Sequence, residues 1–354
     1  AGSGLSHFDG MKFTGRGIAG PGADLHYLVS DAGVQHLAIA FHEEYWNHPT
    51  LHKGIASIES FLLGPDVPGI APLAKRNKAK ASFLYQCDDG VTAAEILRAH
   101  QKSGQPAGVK AGLELLKAAA PILDDASVKG EEEGVYSHGG VSPWRIVVQP
   151  SGKVLILGFG IPDAHVFAYL DEESDSADRD TFRFCPPERL KDLDEDFRSD
   201  LFSLALIAAE LMTGESVFDG NVDEIYDQIV SGDGPAAIED IGSALSDAIL
   251  DVLCPSTELK ASDRFRDAAE LIRYVDEALA DTSGPGLAEA AAVGKRAGLS
   301  DDLGLQSELE TAKPKPEPKP AAAPKPAPAP KPAPKPAAAP KPAAAPKPAA
   351  RPAP

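Results

Sequence analysis

The chain has 354 residues, 43% of them hydrophobic and 25% charged, with a formal net charge of −19. That length holds one large domain or two to three small ones, and the negative charge argues against a nucleic-acid binder. Cys87, Cys185 and Cys254 are far apart, odd in number and form no Cys-x-x-Cys pair, which predicts reduced thiols in a cytoplasmic protein. No run of 18 apolar residues predicts a membrane span, and no secretory signal is evident.

Residues 1–10, opening Ala-Gly-Ser-Gly, read as a leftover of cloning or a flexible start and are set aside. Residues 11–41 read as a Gly-rich β-meander, interrupted by Gly15-Arg16-Gly17 and Gly20-Pro21-Gly22, with strands at 25–29 and 36–41. Residues 50–63 have helical spacing, with Ile55, Ile58 and Leu62 on one face. A strand is expected at 81–86, then Cys87-Asp88-Asp89-Gly90, then a short helix at 92–100. An amphipathic helix follows at 109–123, where Leu113, Leu116 and Ala120 share a face. The connector 124–134, with Glu131-Glu132-Glu133, reads as a solvated loop, with a docking site as the alternative.

Two apolar runs at 145–149 and 154–157 flank Pro150-Ser151-Gly152-Lys153, which is turn chemistry and predicts a β-hairpin. The hairpin ends in Gly158-Phe159-Gly160. The acidic run 171–180 is too charged to bury itself, and Ser174, Ser176 and Thr181 are candidate phosphoacceptors near it. Residues 201–209 are apolar on all sides except at Ser203, which predicts a helix at the centre of a domain, stopped by Gly214. Further helices are expected at 222–231, 236–253 and 267–280, with one short helix near 287–296 in a Gly-, Ala- and Asp-rich connector. From Lys313 onward the chain is a Lys-Pro and Ala-Pro repeat with nine basic residues against one Glu; the remainder has 25 basic and 52 acidic residues, a net −27. Such a tail is expected to be disordered and of polyproline type, reaching about 130 Å if fully extended.

The stretch from His138 to Pro143, the hairpin with its Gly158-Phe159-Gly160, Pro186-Pro187-Glu188, Asp200 at the head of the apolar helix and Arg264 together resemble the eukaryotic-like serine/threonine protein kinases of bacteria. The resemblance spans about residues 11–280. It implies an α+β, two-lobed fold: a small β-rich N-lobe at 11–90, a larger helical C-lobe at 91–281, a connector at 282–312 and the tail at 313–354. His138, Pro143, Phe159, Gly160, Glu188, Asp200 and Arg264 fall on positions that hold such a fold together. Asp200 is expected to accept backbone donors from the 138–140 loop, and Arg264 to pair with Glu188.

Other family positions carry residues of different chemistry. The strand Lys falls on Ala40, the catalytic Asp on Gly140, the loop Lys on Ser142, the metal-binding Asn on Arg145 and the metal-binding Asp on Gly158. Glu59 falls on the ion-pairing Glu of the N-lobe helix. Phosphoryl transfer in the family uses carboxylates to hold magnesium and to accept the substrate proton. The resemblance therefore implies a pseudokinase: no enzyme, no catalytic residue, no cofactor and no metal, but a binding or scaffold protein in bacterial signalling or assembly. Its partners are expected to be one or more proteins, with the tail touching a Pro-recognising or anionic surface, or acting as a spacer. Two alternatives stand beside this reading. One is a nucleotide sensor without phosphotransfer. The other is a divergent kinase in which Arg16 replaces the strand Lys and Asp163 the metal Asp.

Overall fold

The computed structural model describes residues 7–8, 11–18, 23–47, 49, 55, 67–77, 81–87, 89–161, 163, 166, 170 and 179–300. Apart from Ile55, the expected helix 50–63 with Glu59 lies outside these residues, as do Ser174, Ser176 and the whole tail from 313.

The N-terminal part is a six-stranded antiparallel sheet. Its strands are β1 (His7–Phe8), β2 (Met11–Ile18), β3 (Ala23–Val29), β4 (Gln35–Phe41), β5 (Leu73–Asn77) and β6 (Ser82–Gln86), in the order β1-β2-β3-β4-β6-β5. Because side chains alternate along a strand, pairing Leu25 with Ile39 and Tyr27 with Leu37 puts all four on one face. With Phe83 and Tyr85 they join the main core. Leu28, Ala38, Ala40 and Leu84 form a smaller cluster on the opposite face, covered by Met11 and Phe13. A short helix, α1 (Glu43–Trp46), follows β4.

The second part is helical, with a small sheet of β7 (Val91–Thr92), β8 (Ile146–Val148) and β9 (Val154–Ile156). The expected hairpin is β8–β9, and Gly152 at φ +81° supplies its left-handed turn residue. Helix α2 (Ala93–Ser103) starts with a reciprocal capping box between Thr92 and Glu95. Helix α3 (Val109–Gly130) buries Leu113, Leu115, Leu116, Ala119, Ala120 and Leu123. It runs seven residues beyond the expected end at 123, so most of the expected 124–134 loop is helix. Ala126 is fully buried there, and Asp124 accepts from the Ala268 N–H; both hold the extra turns to the body. Glu131–Glu133 form an exposed 3-10 turn.

Helix α4 is Arg179–Phe182 and α5 is Pro187–Leu190. The all-apolar run becomes α6 (Phe197–Thr213), buried nearly throughout and closed by Gly214 at φ +78°. Next come α7 (Val222–Ser231), α8 (Gly234–Ile241) and α9 (Asp247–Ser256). The single helix expected at 236–253 is thus two, because Gly242 and Ser246 supply an end and a start. Helix α10 (Ala268–Ala280) is capped by Asp267. The last, α11 (Leu287–Ser300), lies in the expected connector, yet Leu287, Ala290 and Ala291 are buried in the main core. Gly294 allows close approach: a Cβ there would lie 3.2 Å from the Ile96 backbone of α2.

Candidate functional site

The loop before β8 is fixed from two sides. The His138 backbone N–H donates to Asp200 Oδ2 at 2.7 Å, and the ring nitrogen Nε2 donates to the Leu157 carbonyl at 2.9 Å. A carbonyl only accepts, so the proton is on Nε2. Burial and the nearby Arg145 guanidinium hold His138 down at about 3, so it is neutral. Its ring stands edge-on to Phe159, with centroids 5.7 Å apart, and Gly160 N–H donates back to the His138 carbonyl. Asp200 is fully buried, and burial pushes its carboxyl well above the usual range. Pro143, at the start of a 3-10 turn Pro143–Arg145, carries the chain into β8.

Arg145 is buried, and its guanidinium closes the turn after β9. Nη1 donates to the Ile161 carbonyl at 2.6 Å and to the Gly158 carbonyl at 3.3 Å, and Nη2 donates to Asp163 Oδ1 at 3.1 Å. Asp163 also faces Arg189 Nη1 at 3.7 Å, and Arg189 forks onto Glu195 at 2.7 and 3.1 Å. Beside Arg189 sits the Cys185 thiol, which burial pushes up to about 12. Gly158 and Gly160 take the left-handed conformation at φ +70° and +78°. A Cβ at Gly158 would lie 3.3 Å from the Tyr85 hydroxyl and 3.4 Å from Arg145 Nη1. At Gly140 a Cβ would lie 2.8 Å from Asp163 Oδ1. A carboxylate from another part of the chain thus stands where a side chain at 140 would begin. Ser142 is buried, and its carbonyl accepts from Arg145 N–H.

A third cluster locks the segment that follows. Arg264 forks onto Glu188 at 2.9 and 3.1 Å, and Ser199 Oγ donates to the same carboxylate at 3.2 Å. Arg264 also donates to the carbonyls of Arg198, Glu258 and Leu259.

In the sheet, Ala40 is buried on the face opposite Leu37 and Ile39. It points away from the main core, with Leu28, Ala38 and Leu84. The inward positions of β4 are Leu37 and Ile39, and Phe41 packs against the same core, edge-on to Phe83. Arg16 is held by Glu95 and Tyr27. Its Nε and Nη2 donate to Glu95 Oε1 at 2.9 and 2.6 Å, and its guanidinium lies 4.0 Å over the Tyr27 ring.

Magnesium, which this fold family uses, is not matched by the residues present. Arg145 places a cation at the Asn position, Gly158 offers no ligand, and Asp163 is already neutralised by two guanidinium groups. Among the described residues no group of three or more His, Cys, Asp or Glu side chains is placed to hold a metal ion. No helix among them is long and apolar enough to cross a membrane. The sequence pointed to Arg145 and Asp163 singly, but not to their pairing or to Tyr85, Arg189 and Glu195, which carry no motif.

No family model matches the chain. It is 27% identical over 187 residues to the serine/threonine-protein kinase PknB of Mycobacterium tuberculosis, covering 52% of this chain and 28% of that protein. A probable serine/threonine-protein kinase of Clostridium perfringens is 24% identical over 193 residues, covering 52% of this chain and 25% of that protein. A probable PknB of Lactococcus lactis is 22% identical over 214 residues, covering 60% and 32%. The chain thus spans less than a third of the length of these curated relatives. In fold it is similar to the kinase domain of M. tuberculosis PknI, with a TM-score of 0.57, 19% identity, and coverage of 79% of this chain and 99% of that one. The expectation that the chain is no enzyme, a pseudokinase, is overturned here, since these relatives are all named as protein kinases. That expectation treated each position alone, whereas the carboxylate of Asp163 occupies the space left open at Gly140. The motifs around His138 and Phe159, the two-part fold and these relatives agree: the chain has a protein-kinase-like fold and is similar in sequence to bacterial serine/threonine protein kinases.

Proposed function

We propose that the chain works in bacterial signalling by binding another protein, with the helical part as the recognition platform. The observation that carries this reading is the rigid clamp on the segment 187–200. Glu188 is held by Arg264 and Ser199, Arg189 by Glu195, and Asp200 holds the 138 loop. This clamp presents Leu193, a large apolar side chain that is 59% exposed, on a fixed backbone whose N–H donates to the Glu188 carbonyl. Apolar side chains on rigid supports serve recognition well, because little ordering is needed on binding. The basic tail is a second candidate contact for the same partner. The test is capture of a partner from a bacterial lysate, followed by a titration with that partner purified. Leu193→Asp should abolish saturable binding, and Tyr274→Asp, on helix α10, should leave it intact. Binding that ignores both substitutions would sink the reading.

Phosphoryl transfer is the second reading. It is favoured by the position of the Asp163 carboxylate beside Gly140 and by the names of the relatives. The test is incubation of the full chain with γ-labelled ATP and a protein acceptor. Label transferred by the parent chain and lost in Asp163→Asn would support it. No label above background would dismiss it.

A further inference from the structure

Glu95 is heavily engaged among the described carboxylates of the N-terminal half. It accepts from Thr92 N–H at 2.7 Å and Thr92 Oγ1 at 3.0 Å, from the Tyr27 hydroxyl at 2.6 Å, and from Arg16 at 2.6 and 2.9 Å. The Thr92 bonds belong to the cap of α2 and would form in any helix with that cap. The Tyr27 and Arg16 bonds are different, because they come from β3 and β2 of the other part, 68 and 79 residues away in sequence. Both partners are buried, with side-chain exposures of 11% for Arg16 and 7% for Glu95. Arg16 also lies flat on Tyr27 at 4.0 Å, which fixes the plane of its fork. The receiving helix is itself braced, since α11 packs along α2 with Gly294 against Ile96. Lys295 adds an exposed pair with Asp89 on the connection between the two parts.

We propose that Arg16, Tyr27 and Glu95 form a latch that holds the sheet closed onto the helical part, so that anything entering the cleft between them must first break this pair. A buried charge pair suits the task because breaking it one-sidedly leaves a charge uncompensated. The closed state is then favoured sharply. Opening is a sub-global event distinct from unfolding.

Cys87 provides the readout. It is fully buried on the connection between the parts, and its thiol is near enough to Tyr27 to help raise the hydroxyl, a smaller effect there than burial and Glu95. Cys185 is buried within the helical part and Cys254 is partly exposed, so the other two thiols serve as internal controls. The experiment is alkylation of the full native chain with iodoacetamide, read thiol by thiol by mass spectrometry. Arg16→Met keeps the stem over Tyr27, and Glu95→Gln keeps the capping acceptor of α2. Each should raise the Cys87 rate by about tenfold or more relative to Cys185, and the double variant should add little to either. An unchanged Cys87 rate in both variants, or equal acceleration of Cys87 and Cys185, would overturn the latch. A second measurement needs no substitution. In the parent chain, labelling of Cys87 should respond less steeply to urea than labelling of Cys185, because a smaller surface is exposed on opening. Equal slopes would mean that Cys87 is reached only by global unfolding, and there is no latch.

Discussion

Replacing Arg145 by Met should destabilise the fold severely. The guanidinium makes two bonds to buried carbonyls and one to Asp163. Met retains most of the apolar stem and deletes all three. The Ile161 carbonyl loses a 2.6 Å charged donor, and Asp163 loses its 3.1 Å partner while Arg189 stays at 3.7 Å. Breaking a buried pair on one side costs about 3–5 kcal/mol. For a body of this size that lowers the melting temperature by roughly 10 °C. Asp163→Asn keeps an acceptor for Arg145 and should cost less, about 1–3 kcal/mol. If the two side chains are compensating partners, the double variant should fall short of the sum by about 1–2 kcal/mol. Urea denaturation of the four proteins measures this cycle. Arg145→Met within about 1 kcal/mol of the parent, or strict additivity, would refute the idea that these residues stabilise each other.

Gly140→Asp should not restore a family-like site. Its Cβ would come within 2.8 Å of Asp163 and add a second carboxylate there, so a loss of about 2–3 kcal/mol in thermal melts is expected, partly relieved by Asp163→Gly. Arg264→Met should cost about 3–5 kcal/mol, because Glu188 would be left buried without its fork; a loss below about 1 kcal/mol in urea would argue against the clamp. His138 gives a pH test. Its folded value, about 3, lies below the unfolded value of about 6.5, so the unfolded chain binds the proton first and stability falls as pH drops through that window. The stability difference between parent and His138→Gln should therefore change by up to about 1.4 kcal/mol per pH unit between about 6 and 4, and a flat difference would mean that His138 is not buried neutral. Asp200 has the opposite sign: its folded carboxyl is raised, so its charge disfavours the fold above the unfolded value. Asp200→Asn, which still accepts from His138 N–H, should then cost less at pH 7 than Asp200→Ala in a urea titration.

Features that depend on neighbours in sequence were legible in advance. The hairpin announced itself by Gly152 between two apolar runs, α6 by its all-round apolar character, and its end by Gly214. The bonds from Asp200 to the 138 loop and from Arg264 to Glu188 were anticipated by the family resemblance, since motif residues keep their spacing even across 62 and 76 positions. Features set by three-dimensional register were not legible. Nothing local says that Leu37 and Ile39 of β4 face the main core while Ala38 and Ala40 face away; only pairing with β3 and β6 decides it. The break between α8 and α9 hung on Gly242 and Ser246, weak signals inside a helical pattern. Arg189, Glu195 and Tyr85 bear no motif and became site residues only by where the fold put them.

These placements also change what a substituted motif means. Gly140 lies against Asp163, and Gly158 lies under Tyr85 and Arg145. At both glycines the departure from the family pattern is met by a side chain from elsewhere, so the unit that has changed there is the cluster and not the single position. A close-packed interior requires this, since a void or an uncompensated charge left by one change would cost several kcal/mol. Arg145 at the Asn position and Asp163 beside Gly140 form one such matched pair, tied through Arg189 to Glu195. A side chain restored at Gly140 or Gly158 would therefore meet a neighbour already in place, and a family-like site there would require Asp163, Tyr85 and Arg145 to be rebuilt with it.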